Sequence, residues 1–335
     1  MIAPLSKIDT EGLLSAWRFD GKGSAVRMTP DEALSAHAAD RSAEGGFIWL
    51  HFRHLPRAPQ TYLRQTAGLD PNVQESMLED QCRPRCAMFV DGALLSLRGI
   101  NLQRNALPEE LVTIHLWVDA RRIISVQHDF LSSIADFEDA LVRGRCPRAQ
   151  GEFVAELSMR LVERVDAVVN TLIEDADELE DAVLTTDSSE LLPKLAVLRR
   201  VAIKLRRHIA PQREALNHFA LEDDPWMGPK DRNRLRDAAD RVARFSEELD
   251  SVRERAAVIR EQMVDTRAEQ MNKSMLVLAV VTVVFAPMTL ISGMFGMNVG
   301  GIPGNTDPEA FWALAFAMLV LGFILLWLFR RMKWI

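Results

Sequence analysis

The 335-residue chain lacks basic residues over one long C-terminal stretch. No Lys or Arg lies between Lys273 and Arg330, no Cys or His follows Lys273, and the only later acidic residues are Asp307 and Glu309. A dehydrated transition-metal ion needs thiolate, imidazole or carboxylate ligands, and the apolar parts of this stretch have none. They also contain no titratable group that could relay protons.

Other absences narrow the class of protein. Cys82, Cys86 and Cys146 are too few for a disulfide framework and fit a reducing cytoplasm. A net charge of -7 argues against nucleic acid as a partner. Residues Met1 to Lys7 contain no apolar signal segment, so we expect the N-terminal domain to stay in the cytoplasm. Because no nucleophile–base arrangement and no Gly-rich phosphate loop is visible, we expect neither an enzyme nor a cofactor.

Two uncharged apolar runs are long enough to cross a membrane. Met275 to Met294 and Ala310 to Phe329 each have 20 residues, or about 30 Å of helix. Basic residues stand outside both runs: Arg267, Lys273, Arg330, Arg331 and Lys333. By the positive-inside rule both termini are cytoplasmic, and the loop from Gly296 to Glu309 faces the other side of the membrane.

The N-terminal region reads as a mixed α/β domain. Gly46 to His51 resembles a short buried strand, and Pro30 to Ala38 and Pro71 to Glu79 resemble short helices. Two hairpins are predicted, the first turning at Asp91-Gly92, where Gly supplies a positive φ, and the second at Asp119 to Arg122. Their strands are Cys86 to Val90 with Ala93 to Ile100, and Leu111 to Val118 with Ile123 to Gln127.

Long helices are predicted after this domain. Val154 to Leu184 and Glu190 to Leu221 are amphipathic, and no Gly or Pro interrupts Lys230 to Ala286. The last segment carries an apolar seam at alternating steps of three and four: Leu235, Ala238, Val242, Phe245, Leu249, Val252, Ala256, Ile259, Met263 and Thr266. Such a seam packs on partner helices, either the chain's own pair or other copies. We favour other copies, because the same helix runs on into the membrane.

The stepping of the seam can be followed into the first apolar run, so we expect the seam to continue there as a stripe on the same α-helix. Six residues again step three and four and share one helix face: Met275, Leu278, Thr282, Ala286, Thr289 and Gly293. A face of small and hydroxyl side chains serves either close helix packing or the wall of a pore. Two helices per chain cannot enclose a pathway, so the pore interpretation requires an oligomer. The residues alone leave both interpretations open.

The loop between the runs begins with Gly296-Met297-Asn298. Together with the preceding run Val281 to Gly293, it resembles the CorA superfamily of divalent-cation transporters. The neutral continuation Val299 to Gly304 is similar to the ZntB branch, associated with zinc, since the magnesium-type branch usually has an acidic residue just after the Asn. The string from Arg83 to Asn101 also resembles that branch.

This resemblance implies a funnel-shaped homopentamer in the bacterial inner membrane. It implies that the six-residue stripe lines the pore, and that Gly296, Met297 and Asn298 recognise a hydrated ion, with zinc as the transported species. The expected regions are a cytoplasmic α/β domain (1–150), helical arms (151–228), a stalk helix that becomes the first membrane helix (229–294), a periplasmic loop (295–309), and the second membrane helix with a basic tail (310–335). The alternatives are a magnesium or cobalt channel of the same fold, and a membrane-anchored sensor or scaffold.

Three further features have two interpretations each. Asn298 binds water around an ion, or it caps the first helix. The acidic run Glu174 to Asp181 attracts divalent ions, or it is a solvated helix face. Cys82 and Cys86, with His51 and His54 elsewhere in the domain, form a zinc site or are ordinary cysteines. We expect the acidic run to be a solvated helix face and the cysteines to be ordinary cysteines. We expect His115 in the core or on the surface, and His208 and His218 on helix surfaces, and none of the three as a ligand.

Overall fold

A seven-stranded sheet forms the centre of the N-terminal part of the protein. The computed structural model describes residues 12–35, 46–54, 62–80, 82–101, 110–183, 188–221, 223–297, 300–303 and 309–332. The chain divides into two compact units, residues 1–259 and 260–335. The sheet belongs to the first unit.

The sheet is antiparallel except for one central pair. In chain order its strands are β1 (Leu13–Phe19), β2 (Ala25–Arg27), β3 (Phe47–Arg53), β4 (Arg85–Phe89), β5 (Gly92–Ile100), β6 (Leu111–Asp119) and β7 (Arg122–Gln127). They lie in the order β2-β1-β3-β7-β6-β5-β4, and β3 and β7 run parallel. This parallel pair brings the ends of two strands that are distant in sequence to the same edge of the sheet.

Both predicted hairpins and the strand near Gly46 are confirmed, while β1, β2 and the parallel pairing were not predicted. The positive φ predicted for Gly92 in the first hairpin is wrong. Gly92 is not among the described glycines with positive φ. A Cβ at Gly92 would instead lie 2.4 Å from the carbonyl oxygen of Val118 on the neighbouring strand. Glycine is therefore required there by close backbone approach.

Seven α-helices lie in the described residues, together with a π-helical turn at Tyr62–Thr66. They are α1 (Pro30–Ser35), α2 (Pro71–Met77), α3 (Ser132–Val142), α4 (Gln150–Ala182), α5 (Ser188–Ala220), α6 (Pro229–Phe295) and α7 (Ala310–Arg331). Asp70 caps α2 by accepting a hydrogen bond from the backbone N–H of Asn72 at 2.8 Å. Helix α6 has 67 residues, about 100 Å, and contains the predicted uninterrupted segment.

Each face of the sheet packs on different helices. One face buries Leu50, Phe52 and Trp117 against the π-helical turn and α2. On the other face, the aromatic rings of Trp49 and Phe153 lie 5.0 Å apart between their centroids, which joins β3 to α4. Burial of these large side chains on both faces stabilises the domain by the hydrophobic effect.

The apolar seam of α6 packs within the single chain, which corrects the expectation of a subunit interface. From Leu235 to Ile259 every seam residue is at most 2% exposed. Ion pairs join α6 to both arms: Arg206 Nε of α5 lies 2.6 Å from Asp250 Oδ2, and Arg244 lies 4.0 Å from Asp166 of α4. The arms have apolar stripes of their own, so the three helices bury one another without a second copy.

Candidate functional site

The C-terminal unit contains two helices of membrane length, the last part of α6 and the whole of α7. Both pass the test of length and apolar composition for a membrane span. They pack on each other through Val280, Val284 and Phe329, with Met288 and Leu325 partly buried against this cluster. Helices satisfy their own backbone hydrogen bonds, so such a pair is suited to a bilayer.

Gly322 of α7 lies close to the side chain of Met288 on α6. This residue is buried, and a Cβ on it would lie 2.5 Å from the Cε atom of Met288. Small residues at a crossing let neighbouring helices come close. One face of α6, defined by Val280, Val284 and Met288, is therefore occupied by α7.

The six residues predicted to line a pore lie on the opposite face of α6. All of them are exposed in the single chain: Met275, Leu278, Thr282, Ala286, Thr289 and Gly293. Thr282 follows Val280 by two positions, and Ala286 follows Val284 in the same way. Two positions on an α-helix correspond to about 200°, so the two stripes point in nearly opposite directions.

The threonines of this exposed stripe use their hydroxyl protons within the helix. Thr282 Oγ1 donates to the carbonyl oxygen of Leu278 at 2.8 Å, and Thr289 Oγ1 donates to that of Phe285 at 2.9 Å. A hydroxyl that donates in this way keeps its oxygen lone pairs available. The stripe therefore presents acceptor oxygens that suit the hydrogens of water molecules around a cation.

The similar stepping of the two patterns predicted that this exposed stripe continues the apolar seam. That prediction is wrong. Thr266 ends the seam and Met275 begins the stripe, nine residues later. Nine residues correspond to about two and a half helical turns, which places the two residues on different sides of the helix. Equal spacing within two patterns does not put them in phase with each other.

Gly296 and Met297, the first two of the three residues predicted to recognise the ion, follow directly after α6. Gly296 donates a backbone hydrogen bond to the carbonyl oxygen of Ser292 at 3.0 Å, and Met297 is 51% exposed. Asn298 lies outside the described residues. Farther along, Gly301 has a φ of 102°, a conformation that other residues rarely adopt, whereas a side chain at Gly300 would meet no atom within 4 Å.

The cysteines and histidines considered together from the sequence, Cys82, Cys86, His51 and His54, all lie in the described residues. Within the described ranges, no three His, Cys, Asp or Glu side chains are arranged to hold a metal ion. Cys82 is buried, and its burial raises the pKa of the thiol, which disfavours the thiolate that binds metals. His115 is also buried in the core, where its ring nitrogens lie 2.8 Å from Ser96 Oγ and 2.8 Å from the carbonyl oxygen of Glu79.

The acidic run near the end of α4 is an exposed helix face with one basic neighbour. Ala176 and Leu179 point into the protein, and the six acidic side chains are exposed. Arg255 of α6 forms ion pairs with Asp177 and with Glu180, whose Oε2 lies 3.1 Å from its Nε. An arginine therefore already occupies the position that an ion would take at these two carboxylates.

The fold and these helices define a class of proteins that place a seven-stranded α/β unit and long helices before two membrane-length helices. The family described as CorA-like Mg2+ transporter protein matches residues 44–331. The chain belongs to this family.

Individual relatives cover almost the whole chain. It is 31% identical to "Zinc transport protein ZntB" of Yersinia enterocolitica over 96% of this chain and 95% of that protein. It is 33% identical to "Divalent cation transporter CmaX" of Pseudomonas aeruginosa over 98% of both. The solved structure of full-length CmaX matches with a TM-score of 0.80 and 31% identity, over 96% of this chain and 98% of that one.

A more distant solved structure shows the fold alone. The CorA magnesium transporter of Methanocaldococcus jannaschii is 19% identical and matches with a TM-score of 0.82 over 100% of both chains. The same architecture therefore occurs with widely different sequences.

Proposed function

We propose that this protein transports divalent cations, with zinc preferred, across the bacterial inner membrane through the centre of a homopentamer. The observation that carries this proposal is the exposed threonine stripe of α6 on the face opposite α7. Two membrane helices in one chain cannot enclose a pathway. Five copies with this stripe turned inward would line one, and α7 would then lie outside α6, next to lipid.

The surface of α7 supports this arrangement. Most of its large apolar side chains are exposed, including Trp312 at 72%, Phe323 at 71% and Trp327 at 60%. Near its end the guanidinium of Arg331 lies 5.4 Å from the centre of the Trp327 ring. Tryptophan and arginine together are typical of the membrane–water interface. With the basic residues before the first span, they support cytoplasmic termini.

We propose that the ion crosses with water still bound. The apolar runs contain no Cys, His or acidic residue, so they cannot replace the water ligands of zinc with strong ligands of their own. Hydroxyl oxygens of Thr282 and Thr289 would instead accept hydrogen bonds from the water shell. Gly296, Met297 and Asn298 would collect the hydrated ion at the outer opening, where the Asn carboxamide oxygen acts as an acceptor.

The names of the relatives support zinc and, more broadly, divalent cations. One relative is named for zinc transport and the other for divalent-cation transport, and both are aligned over nearly their whole lengths. A magnesium or cobalt channel of the same fold is the nearest alternative. A membrane-anchored sensor or scaffold is the second, and it predicts liposomes that pass no ions.

Cysteine accessibility tests the orientation of α6. In a background with Cys82, Cys86 and Cys146 replaced by Ala, we expect a charged thiol reagent to reduce zinc flux by at least tenfold in Thr282→Cys or Thr289→Cys. The added group would occupy the pathway. Flux into proteoliposomes is measured before and after labelling.

Val284→Cys is the matched control for this experiment, because this residue is 8% exposed and faces α7. We expect its flux to be unchanged by the reagent. Equal inhibition at Val284 and at the threonines, or inhibition at neither threonine, would contradict the proposed orientation.

Neutralising the acidic run is expected to change flux by less than twofold. The variant replaces Glu174, Asp175, Asp177, Glu178, Glu180 and Asp181 with their amides. These residues are exposed and far in sequence from the pore stripe, and salt screens exposed charges beyond about 8 Å. Arg255→Gln is the control, because it removes the same ion pairs and leaves the acids. A large loss of flux in the acidic variant alone, with intact assembly, would make this run a regulatory ion site.

A further inference from the structure

Two histidines lie side by side at the end of the parallel strands β3 and β7. The last pair in the register is Arg53 with Gln127, so His54 and His128 come next on the two strands. The backbone N–H of His54 donates to the carbonyl oxygen of Gln127 at 2.8 Å. The two imidazole rings stack with centroids 4.2 Å apart and 26° between their planes. Strand pairing therefore fixes the distance between these two potential ligands.

A carboxylate lies next to the pair. Asp80, just after α2, has its Oδ1 atom 3.0 Å from Nδ1 of His128. The His128 side chain is 8% exposed, whereas that of Asp80 is 75% exposed. Two ligands of one tetrahedral zinc ion lie about 3.3 Å apart, given metal–ligand distances near 2.0–2.1 Å. The separation of these two atoms is close to that value.

The surroundings hold the carboxylate and the buried imidazole in position. His115 contacts the carbonyl oxygen of Glu79 at 2.8 Å, and Thr113 Oγ1 donates to the carbonyl oxygen of Asp80 at 3.1 Å. The ring of His115 also packs edge-on against His128 with centroids 5.6 Å apart. Nε2 of His128 is buried without a hydrogen-bond partner. The contacts to the carbonyl oxygens of Glu79 and Asp80 therefore hold the segment that carries the carboxylate, while the His128 ring is held by packing.

We propose that His54, His128 and Asp80 form a binding site for one zinc ion on the α/β unit. In the described part of the chain no three ligand atoms yet surround a common point. The half-exposed side chain of His54 would therefore rotate to complete the site, and water would provide the fourth ligand. This inference depends on the proposed function only for the choice of ion, because the site lies outside the membrane helices.

Zinc titration of the purified full-length protein in detergent tests this site. Free zinc is followed with a competing fluorescent chelator at pH 7.5. We expect His54→Gln, His128→Gln and Asp80→Asn each to weaken zinc binding at this site by at least tenfold. His218→Gln is the matched control, because His218 is exposed on α5 and its ring contacts Cys86 O at 3.3 Å, away from the cluster.

Several outcomes would overturn the proposal. Equal zinc affinity in the three variants and the control is one of them. Another is a loss confined to His128→Gln with a lowered melting temperature, which indicates a structural role for the buried ring. A changed pH dependence of stability with unchanged zinc affinity would indicate a proton-sensing pair. Zinc flux in liposomes is measured separately, so failure of this site leaves the proposed transport untouched.

Discussion

Asn298→Ala is expected to abolish cation flux while the oligomer keeps its size. In the proposed transporter its carboxamide oxygen accepts hydrogen bonds from water bound to the ion, and a ring of five such groups concentrates hydrated cations at the outer opening. Alanine has no acceptor to replace this oxygen. Flux into proteoliposomes and oligomer size are measured on the same preparation.

A structural role for Asn298 predicts a different result. If the side chain only caps α6, its loss should lower stability by about 1 kcal/mol and leave flux intact. Asn272→Ala is the matched control, because Asn272 is exposed on α6 and lies outside both the pore stripe and the loop. Flux that survives in Asn298→Ala would contradict ion recognition at this loop.

The parts of the fold with strong local patterns were predicted from the sequence. Apolar runs on either side of the turns at Asp91-Gly92 and Asp119 to Arg122 mark β4 to β7, and the absence of Gly and Pro marks α6. Strands β1 and β2 were missed although Asp20-Gly21 and Gly23 form a turn between them, because β2 has only three residues and shows no strand pattern of its own. The parallel pairing of β3 with β7 joins residues more than 70 positions apart, as in the hydrogen bond between Trp49 and Ser125. No local pattern encodes that pairing.

The residues of the proposed pore could be predicted from the sequence, but the helices that pack against α6 could not. The threonine stripe could be found from its spacing, because six positions on one helix face are set by geometry alone. The partner of each face of α6 could not be predicted, since an apolar pattern indicates that a helix face is buried but does not identify the element that buries it. The arms cover the seam and α7 covers Val280 and Val284. The signal for the latter was Gly322, the one glycine within α7.

The same limit applies to the histidines. His54 was considered together with Cys82 and Cys86, because a sequence search for metal sites depends on short spacings. Its neighbour His128 is 74 positions away and was not considered. Only the register of β3 and β7 brings the two rings together. A site made across parallel strands has no characteristic spacing in sequence.

Zinc is expected to be transported in preference to magnesium, and Gly300→Glu is expected to raise magnesium flux relative to zinc severalfold. Magnesium keeps its water shell and is collected through water by carboxylates. The loop after Asn298 is neutral, so it gives magnesium no such help. Gly300 is the suitable position, because a side chain there meets nothing within 4 Å, whereas Gly301 has a positive φ.

Gly300→Gln separates charge from size in this experiment, since it adds a side chain of similar length without the carboxylate. Flux of each ion is measured with the other as competitor, with and without a pH gradient to detect proton coupling. A rise in magnesium flux in the Gln variant as well would mean that a wider or altered loop, and not negative charge, determines the preference. Equal competition by magnesium in the unchanged protein would contradict the zinc assignment. The proposed pore would be unaffected by that result, because a pathway for hydrated ions lined by Thr282 and Thr289 does not depend on which divalent ion is hydrated.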